Sequence, residues 1–406
     1  MSEATRTLRE RHLLGPGPKR ILALDGGGVR GLISLAFLER IEKILRERSG
    51  RSDLRLADYF DLAGGTSTGS LIAATLSLGY STQELIELYL TLGRRGFRRR
   101  PWFEGFWAAK FDSAALRAVI LERFGAMTLG SDELRCGLGI VAKRLDTGSV
   151  WLFHNNPRGP YFSPQNPPPD LVSNKDLLLA DLLRASTAAP TYFAPELIEV
   201  ARGVEGLFVD GGVSPHNNPA LLMFALATLK GYGFRWPLGA DRLMLVSVGT
   251  GATAPKPTLE WVRRRPAVLL AIAALRSLMQ DTDRLGQMLL QWMSDTPTPW
   301  VIDGEVGSLA QDMIGERPLL HYLRYDAPIE QDWLARHLDQ KLSSEEVLSI
   351  SAMDRPDNSE RLLEIGRLAA ERQVRPEHLP ASFDEQPAPG GGGPGQEPAG
   401  SARALR

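Results

Sequence analysis

Gly65-Thr66-Ser67-Thr68-Gly69 is the stretch of this 406-residue chain whose residue types and spacing point most directly to chemistry. A G-x-S-x-G sequence between a strand and a helix forms a nucleophile elbow, which pushes the serine hydroxyl out at the edge of a sheet. So tight a turn crowds the positions around it, and glycine at 65 and 69 avoids the Cβ clash. The flanks supply the context. Asp58-Tyr59-Phe60-Asp61-Leu62-Ala63-Gly64 reads as a short buried strand. Leu71, Ile72, Ala74, Thr75, Leu76 and Leu78 then keep a helical spacing up to the breaker Gly79. Ser67 opens that helix, where unpaired N–H groups and the dipole favour developing negative charge. A glycine-rich turn with Ser67 as a plain helix cap is the competing reading.

Acyl transfer needs a base and oxyanion donors besides a nucleophile. Residues Arg20–Leu24 read as a buried strand running into Asp25-Gly26-Gly27-Gly28-Val29-Arg30-Gly31, followed by a helix over about Leu32–Arg48. Three successive glycines let backbone approach a ligand and aim N–H groups at an anion. Gly26, Gly28 and Gly31 also satisfy G-x-G-x-x-G, but a dinucleotide turn needs an acidic residue at the end of the following strand. Gly65-Thr66-Ser67 stands there instead, so an oxyanion loop fits better. Asp210-Gly211-Gly212 follows the short strand Leu207–Val209 and puts a carboxylate at a strand end, although an Asp-Gly hairpin turn reads the same way. Five histidines follow Ser67: His154, His216, His321, His337 and His378. His216 is nearest to Asp210, yet it follows a proline in a loop. A Ser67–Asp210 dyad fits the order of the chain. An aspartate with an ordinary pKa near ~4 needs a partly desolvated site to act as its base.

The elements that must hold these groups are those of a soluble α/β protein. Hydrophobic residues make up 43% and charged residues 23%, with a formal net charge of −1, so a nucleic acid polymer is not an expected partner. The single cysteine, Cys136, excludes an intrachain disulfide framework and sits beside an apolar run as a small buried hydrophobe. The longest apolar run, Ala267–Leu275, falls far short of the roughly 20 residues a spanning helix needs. Met1–Arg20 lacks an apolar signal core. Further strands are expected at Leu138–Arg144, Ser149–Phe153, Arg242–Val248 and Leu319–Tyr325, and helices at Thr82–Leu92, Asp112–Phe124, Asp176–Ala188, Ala220–Lys230 and Asn358–Gln373. Ala267–Met293 reads as one or two helices. Between Arg94 and Trp107, five arginines alternate with five aromatic residues, which suits either a membrane interface or a solvated loop.

The three motifs, in this order and at these separations, resemble the patatin-like phospholipases from about Arg20 to Gly251. That resemblance implies a three-layer α/β/α fold with a mainly parallel sheet, here carrying a mostly helical C-terminal extension. It implies Ser67 as nucleophile, Asp210 as base, an oxyanion hole at Gly26, Gly27 and Gly28, and supporting roles for Arg30, Gly65, Gly69, Gly211 and Gly212. It implies a metal-independent reaction without a cofactor, on a phospholipid or lysophospholipid. Domain boundaries follow: an extension over 1–19, a catalytic domain over 20–252, a helical region packed on it over 253–384 and a disordered tail over 385–406. A cytoplasmic location with peripheral membrane contact is expected. Two alternatives stay open: a cyclic-nucleotide-activated phospholipase effector of antiphage defence, with its control in the C-terminal region, and a broad soluble carboxylesterase.

Overall fold

The computed structural model describes residues 6–96, 110–164, 170–251 and 266–384, together with Glu260 and Arg263. Strands β1 (Lys19–Leu24), β2 (Leu62–Thr66), β3 (Gly137–Arg144), β4 (Ser149–His154), β5 (Glu196–Ala201), β6 (Val204–Asp210), β7 (Leu243–Val248), β8 (Ser294–Asp295) and β9 (Leu320–Tyr325) join in one sheet. Their order is β5-β6-β3-β2-β1-β7-β9-β8, with β4 pairing β3. Strands β3, β2, β1, β7, β9 and β8 run parallel. Their sequences show why. Ile21-Leu22-Ala23-Leu24 is apolar without alternation because both faces of a parallel sheet are covered by helices. Leu22, Leu24, Val246 and Leu323 pack into the core on one face. Ile21, Ala23, Leu245 and Tyr322 pack into the core on the other. Three layers result.

Helices Gly31–Ser49, Thr68–Ser77, Leu179–Ser186 and Ser359–Gln373 cover the first face. Ala220–Thr228 covers the second, with Leu290 of helix Ala267–Trp292 joining the same core. The Ala/Leu/Met-rich region is a single helix of 26 residues. The segment expected as a strand from Asp58 starts later: Leu56–Tyr59 forms a helical turn, and β2 begins at Leu62 and reaches Thr66. The C-terminal region is more than a helical addition, because β9 pairs with β7 along Met244–Val248 and β8 follows at the edge. The arginine–aromatic stretch lies largely outside the described residues, as does the expected tail beyond Asp384.

Two topological facts position the site. From β1 the chain moves to β2 and β3 on one side, and later to β7 and β9 on the other, so the carboxyl end of β1 is a switch point where crevices open. The second concerns β3. Its residues Ala142–Arg144 pair with β4 on one edge, so β6, which pairs with the same three residues, must use the other edge. That edge is already occupied by β2 as far as Val141, opposite Thr66. β2 and β6 therefore meet head to head, and Asp210, opposite Ala142, abuts the residue after Thr66.

Helix Ser359–Gln373 crosses Gly31–Ser49 at Gly366, where an added Cβ would lie 2.8 Å from Ala36 Cβ and 2.9 Å from Ile33 Cα. Gly366→Val should therefore destabilise the fold by about 2 kcal/mol through overpacking, read as a lower urea midpoint. An unchanged midpoint would mean that the two helices do not cross there.

Candidate active site

Ser67 lies at the turn between β2 and helix Thr68–Ser77, with φ 54° and ψ −124°. A non-glycine residue in that region is strained, and such strain needs a surrounding structure that over-determines it. The surroundings do so. The Ser67 N–H donates to Ser186 Oγ at 2.9 Å, and Ser186 Oγ donates to the Val141 carbonyl at 2.6 Å, tying the turn to β3. Gly65 and Gly69 face each other so closely that a Cβ on Gly65 would fall 2.1 Å from Gly69 C. A Cβ on Gly69 would fall 2.2 Å from the Leu24 carbonyl oxygen. The elbow glycines are demanded by contact.

Asp210 ends β6 and is 5% exposed. Its N–H donates to the Ala188 carbonyl at 3.0 Å, and its Oδ1 accepts the Gly212 N–H at 2.7 Å. The Ser67 side chain is near enough to its carboxyl to favour the charged form. Burial pushes the Asp210 pKa up to about 6, and the Ser67 side chain, the Gly212 N–H and the charge of Arg184 moderate that rise. Gly211 and Gly212 begin a short turn that folds back beneath the carboxylate. Of the histidines, His154 meets Tyr232 edge to face, His321 pairs with Asp295, His378 meets Tyr325, and His337 bonds the Trp333 carbonyl. The His216 ring has no hydrogen-bond partner among the described residues; its backbone carbonyl accepts the Thr66 hydroxyl at 2.6 Å.

The glycine loop after β1 comes over this pair. A Cβ placed on Gly26 would lie 3.3 Å from Ser67 Cβ. The Gly26 N–H is engaged, donating to the Asn217 carbonyl at 3.1 Å. The N–H groups of Gly27 and Gly28 have no hydrogen-bond acceptor among the described residues, and their direction is fixed from behind. The Gly26 carbonyl accepts the Thr250 hydroxyl at 2.9 Å. The Gly27 carbonyl accepts the Arg30 N–H at 3.3 Å and Arg30 Nε at 3.4 Å. In a trans peptide the C=O and the following N–H point opposite ways. Holding the two carbonyls therefore aims the Gly27 and Gly28 N–H groups to the other side. Gly28 has φ +60°, and a Cβ there would meet the Met353 carbonyl at 2.3 Å, so only glycine fits. The Gly28 carbonyl accepts Thr68 Oγ1 at 2.9 Å and also the Tyr89 hydroxyl.

The structure brings Ser67, Asp210, the glycines and Arg30, all expected from the sequence, together with Ser186, Thr250, Asn217 and Tyr89, which were not expected there. Thr250 carried a signal, since Gly249-Thr250-Gly251 ends a strand of the same sheet. The others are brought in by tertiary structure alone.

A family profile described as patatin-like phospholipase matches residues 22–224, half of the chain. The chain belongs to the patatin-like phospholipase family. It is 31% identical to Patatin group A-3 of Solanum tuberosum over 324 residues, covering 75% of each chain. It is 35% identical over 208 residues to a protein of Escherichia coli (strain TW11681) named cGAMP-activated phospholipase, covering 50% of this chain and 54% of that one. A protein of the same name from Vibrio cholerae serotype O1 is 32% identical, with 50% and 56% covered. The match thus spans little more than half the length of these two bacterial relatives.

The strain at Ser67 can be measured. Both Ser67→Gly and Ser67→Ala delete the hydroxyl, but only glycine relaxes the backbone. The glycine variant should therefore be more stable than the alanine variant by about 1 kcal/mol, strain relief outweighing the extra unfolded-state entropy. Equal urea midpoints would remove the strain argument.

Proposed function

We propose that this protein is a serine lipid acyl hydrolase of the phospholipase A or lysophospholipase type, with Ser67 as nucleophile and Asp210 as its base. The observation that carries the reading is the Ser67 side chain facing a buried carboxylate beneath two aimed N–H groups. In the first half-reaction, Ser67 Oγ attacks the acyl carbonyl carbon while its proton passes to Asp210. The resulting oxyanion is held by the N–H groups of Gly27 and Gly28. Gly26, its own N–H engaged by Asn217, contributes close approach. Collapse expels the alcohol, which takes the proton from Asp210, and leaves an acyl-serine. In the second, water attacks the ester, gives a proton to Asp210 and forms the oxyanion again. Ser67 then leaves with that proton and a fatty acid is released. Arg30 supports the loop through the Gly27 carbonyl.

A water-insoluble substrate implies work at a lipid surface, so the reading includes peripheral membrane contact from the cytoplasm. Among the described residues no helix is long and apolar enough to cross a membrane. A second reading, activation by a cyclic nucleotide, draws on the names of two bacterial relatives. Turnover that rises on adding cGAMP would support it, and turnover indifferent to cGAMP would remove it.

Release of free fatty acid from mixed phospholipid vesicles tests the central reading. Ser67→Ala and Asp210→Asn should each lower the rate by about 10⁴-fold or more, whereas His216→Gln should keep most of it. Retained turnover in either of the first two variants sinks the dyad. Because the base must be ionised and its pKa is raised to about 6, kcat/KM should climb with pH up to about 6 and level off above it. Deleting the Arg184 charge removes an influence that lowers this pKa, so Arg184→Met should move the limb to higher pH. A limb near pH 4, or one unmoved by the substitution, contradicts the assignment.

A further inference from the structure

Among the buried cations that the reaction as written does not use, Arg324 lies nearest the glycine loop in bonding, through Asp25. Arg324 ends no motif and stands in β9, far beyond the residues matched by the family profile. It is 6% exposed. Its guanidinium grips Asp25 with two parallel bonds, Nη1 to Oδ1 at 3.0 Å and Nη2 to Oδ2 at 2.7 Å. Nη2 also donates to Asp326 Oδ2 at 3.0 Å, and Nη1 to Ser247 Oγ at 2.8 Å. Asp25 is the residue immediately before Gly26. Paired charges of this bidentate kind are geometrically demanding, and water exclusion makes departures from the geometry costly.

From Arg324 the bonds lead to both free N–H groups of the glycine loop. Asp326 Oδ1 accepts the Gly251 N–H at 2.8 Å, while the Gly249 N–H donates to the Tyr325 carbonyl at 2.8 Å. Thr250 is thereby pinned on both sides, and its hydroxyl holds the Gly26 carbonyl that sets the Gly27 N–H. The Gly251 carbonyl accepts Arg30 Nη1 at 3.2 Å, and the same arginine holds the Gly27 carbonyl that sets the Gly28 N–H. Both donors are thus referred to one guanidinium, and Asp25 anchors the strand end from which the loop departs.

We infer that Arg324 is a positioning residue for acyl transfer: through Asp25 and Asp326 it fixes the two peptide planes whose N–H groups receive the oxyanion. This rests on the proposed reading of Ser67 and the loop. The role differs from that of a merely structural ion pair in what it predicts. Loss of aim weakens transition-state binding and leaves ground-state binding of lipid alone.

The test uses the full chain, p-nitrophenyl butyrate as substrate, oleate as a non-covalent product ligand and a long-chain trifluoromethyl ketone. The ketone adds to a serine hydroxyl and places an oxyanion in the hole. Arg324→Lys keeps the charge and loses the fork. Asp25→Asn exchanges one oxygen for an amide group and is the milder change should the first fold poorly. Each should lower kcat by about 10- to 100-fold, with KM and oleate affinity within about twofold of wild type, and the ketone inhibition constant should rise in step with the loss in kcat/KM. A folded Asp25→Asn variant with wild-type kcat overturns the inference. So does a loss of kcat accompanied by an equal loss of oleate affinity, which marks general damage. Ser67→Ala separates the two layers: if it retains turnover the site reading falls, and if it abolishes turnover while Arg324→Lys and Asp25→Asn turn over normally, only the positioning role falls.

Discussion

The site depends on a shared edge. A strand offers two edges, and β3 gives one to β4 and the other to two strands placed end to end, β2 over its first part and β6 over its last. Parallel β2 and antiparallel β6 therefore run toward each other and stop at the same point, with Thr66 opposite Val141 and Asp210 opposite Ala142. Neither chain can continue. The elbow at Ser67 and the turn at Gly211 are the two exits, and they explain why small residues stand at both: a Cβ on Gly211 would lie 2.6 Å from the Val141 carbonyl oxygen. Two side chains remote in sequence meet because two strands compete for one ladder.

Buried charge is handled in opposite ways at the two ends of the parallel strands. At their amino ends Asp61 is also fully enclosed, and burial alone would raise its pKa. Arg20, His12 and Lys19 surround it and hold it down to about 2. At the carboxyl ends burial wins. Asp25 is pushed up to about 7 despite its fork with Arg324, Asp210 to about 6, and Asp283 is raised as well. Carboxylates there outnumber the cations that face them. An end that fully neutralises its charges serves stability; an end that leaves carboxylates poised and N–H donors unpaired holds back interaction energy for something else to use.

What was legible in the sequence was local. The elbow, the glycine loop and the Asp-Gly-Gly turn each carry their residue types within a short stretch of chain, so those types announce them, although the contacts that demand glycine at Gly69, Gly28 and Gly211 come from Leu24, Met353 and Val141. The apolar runs within β1 and β7 announced strands. The supporting residues were not legible, because each acts across a long separation: Ser186 on Ser67, Thr250 on Gly26, Asn217 on Gly26, Arg324 on Asp25. Nor did composition show that Gly26 donates its N–H to Asn217, which leaves two donors where three glycines promised three. The strand expected from Asp58 began late because Asp58 accepts the Arg55 N–H at 3.0 Å and closes a helical turn first. The strand expected at Leu319–Tyr325 is β9, but nothing local showed that its Arg324 grips Asp25, 299 residues away in sequence.

A carboxylate serving alone as base to a serine must satisfy two opposed demands. Left in water near its ordinary pKa of ~4, it is too weak to take a proton. Desolvated without relief, it would keep its own proton at neutral pH and could accept no other. Asp210 sits between these limits because the same geometry supplies both terms. The head-to-head junction encloses it, while that junction also delivers the Ser67 hydroxyl and the Gly212 N–H, which favour the charged form, with the Arg184 charge nearby. In the proposed reaction the hydroxyl would be at once the group to be activated and part of what keeps its base ionised. Once that proton moved, the stabilising contact would turn into the product of the transfer. In that proposal the charge would then appear on the substrate oxygen, where the two N–H groups could meet it.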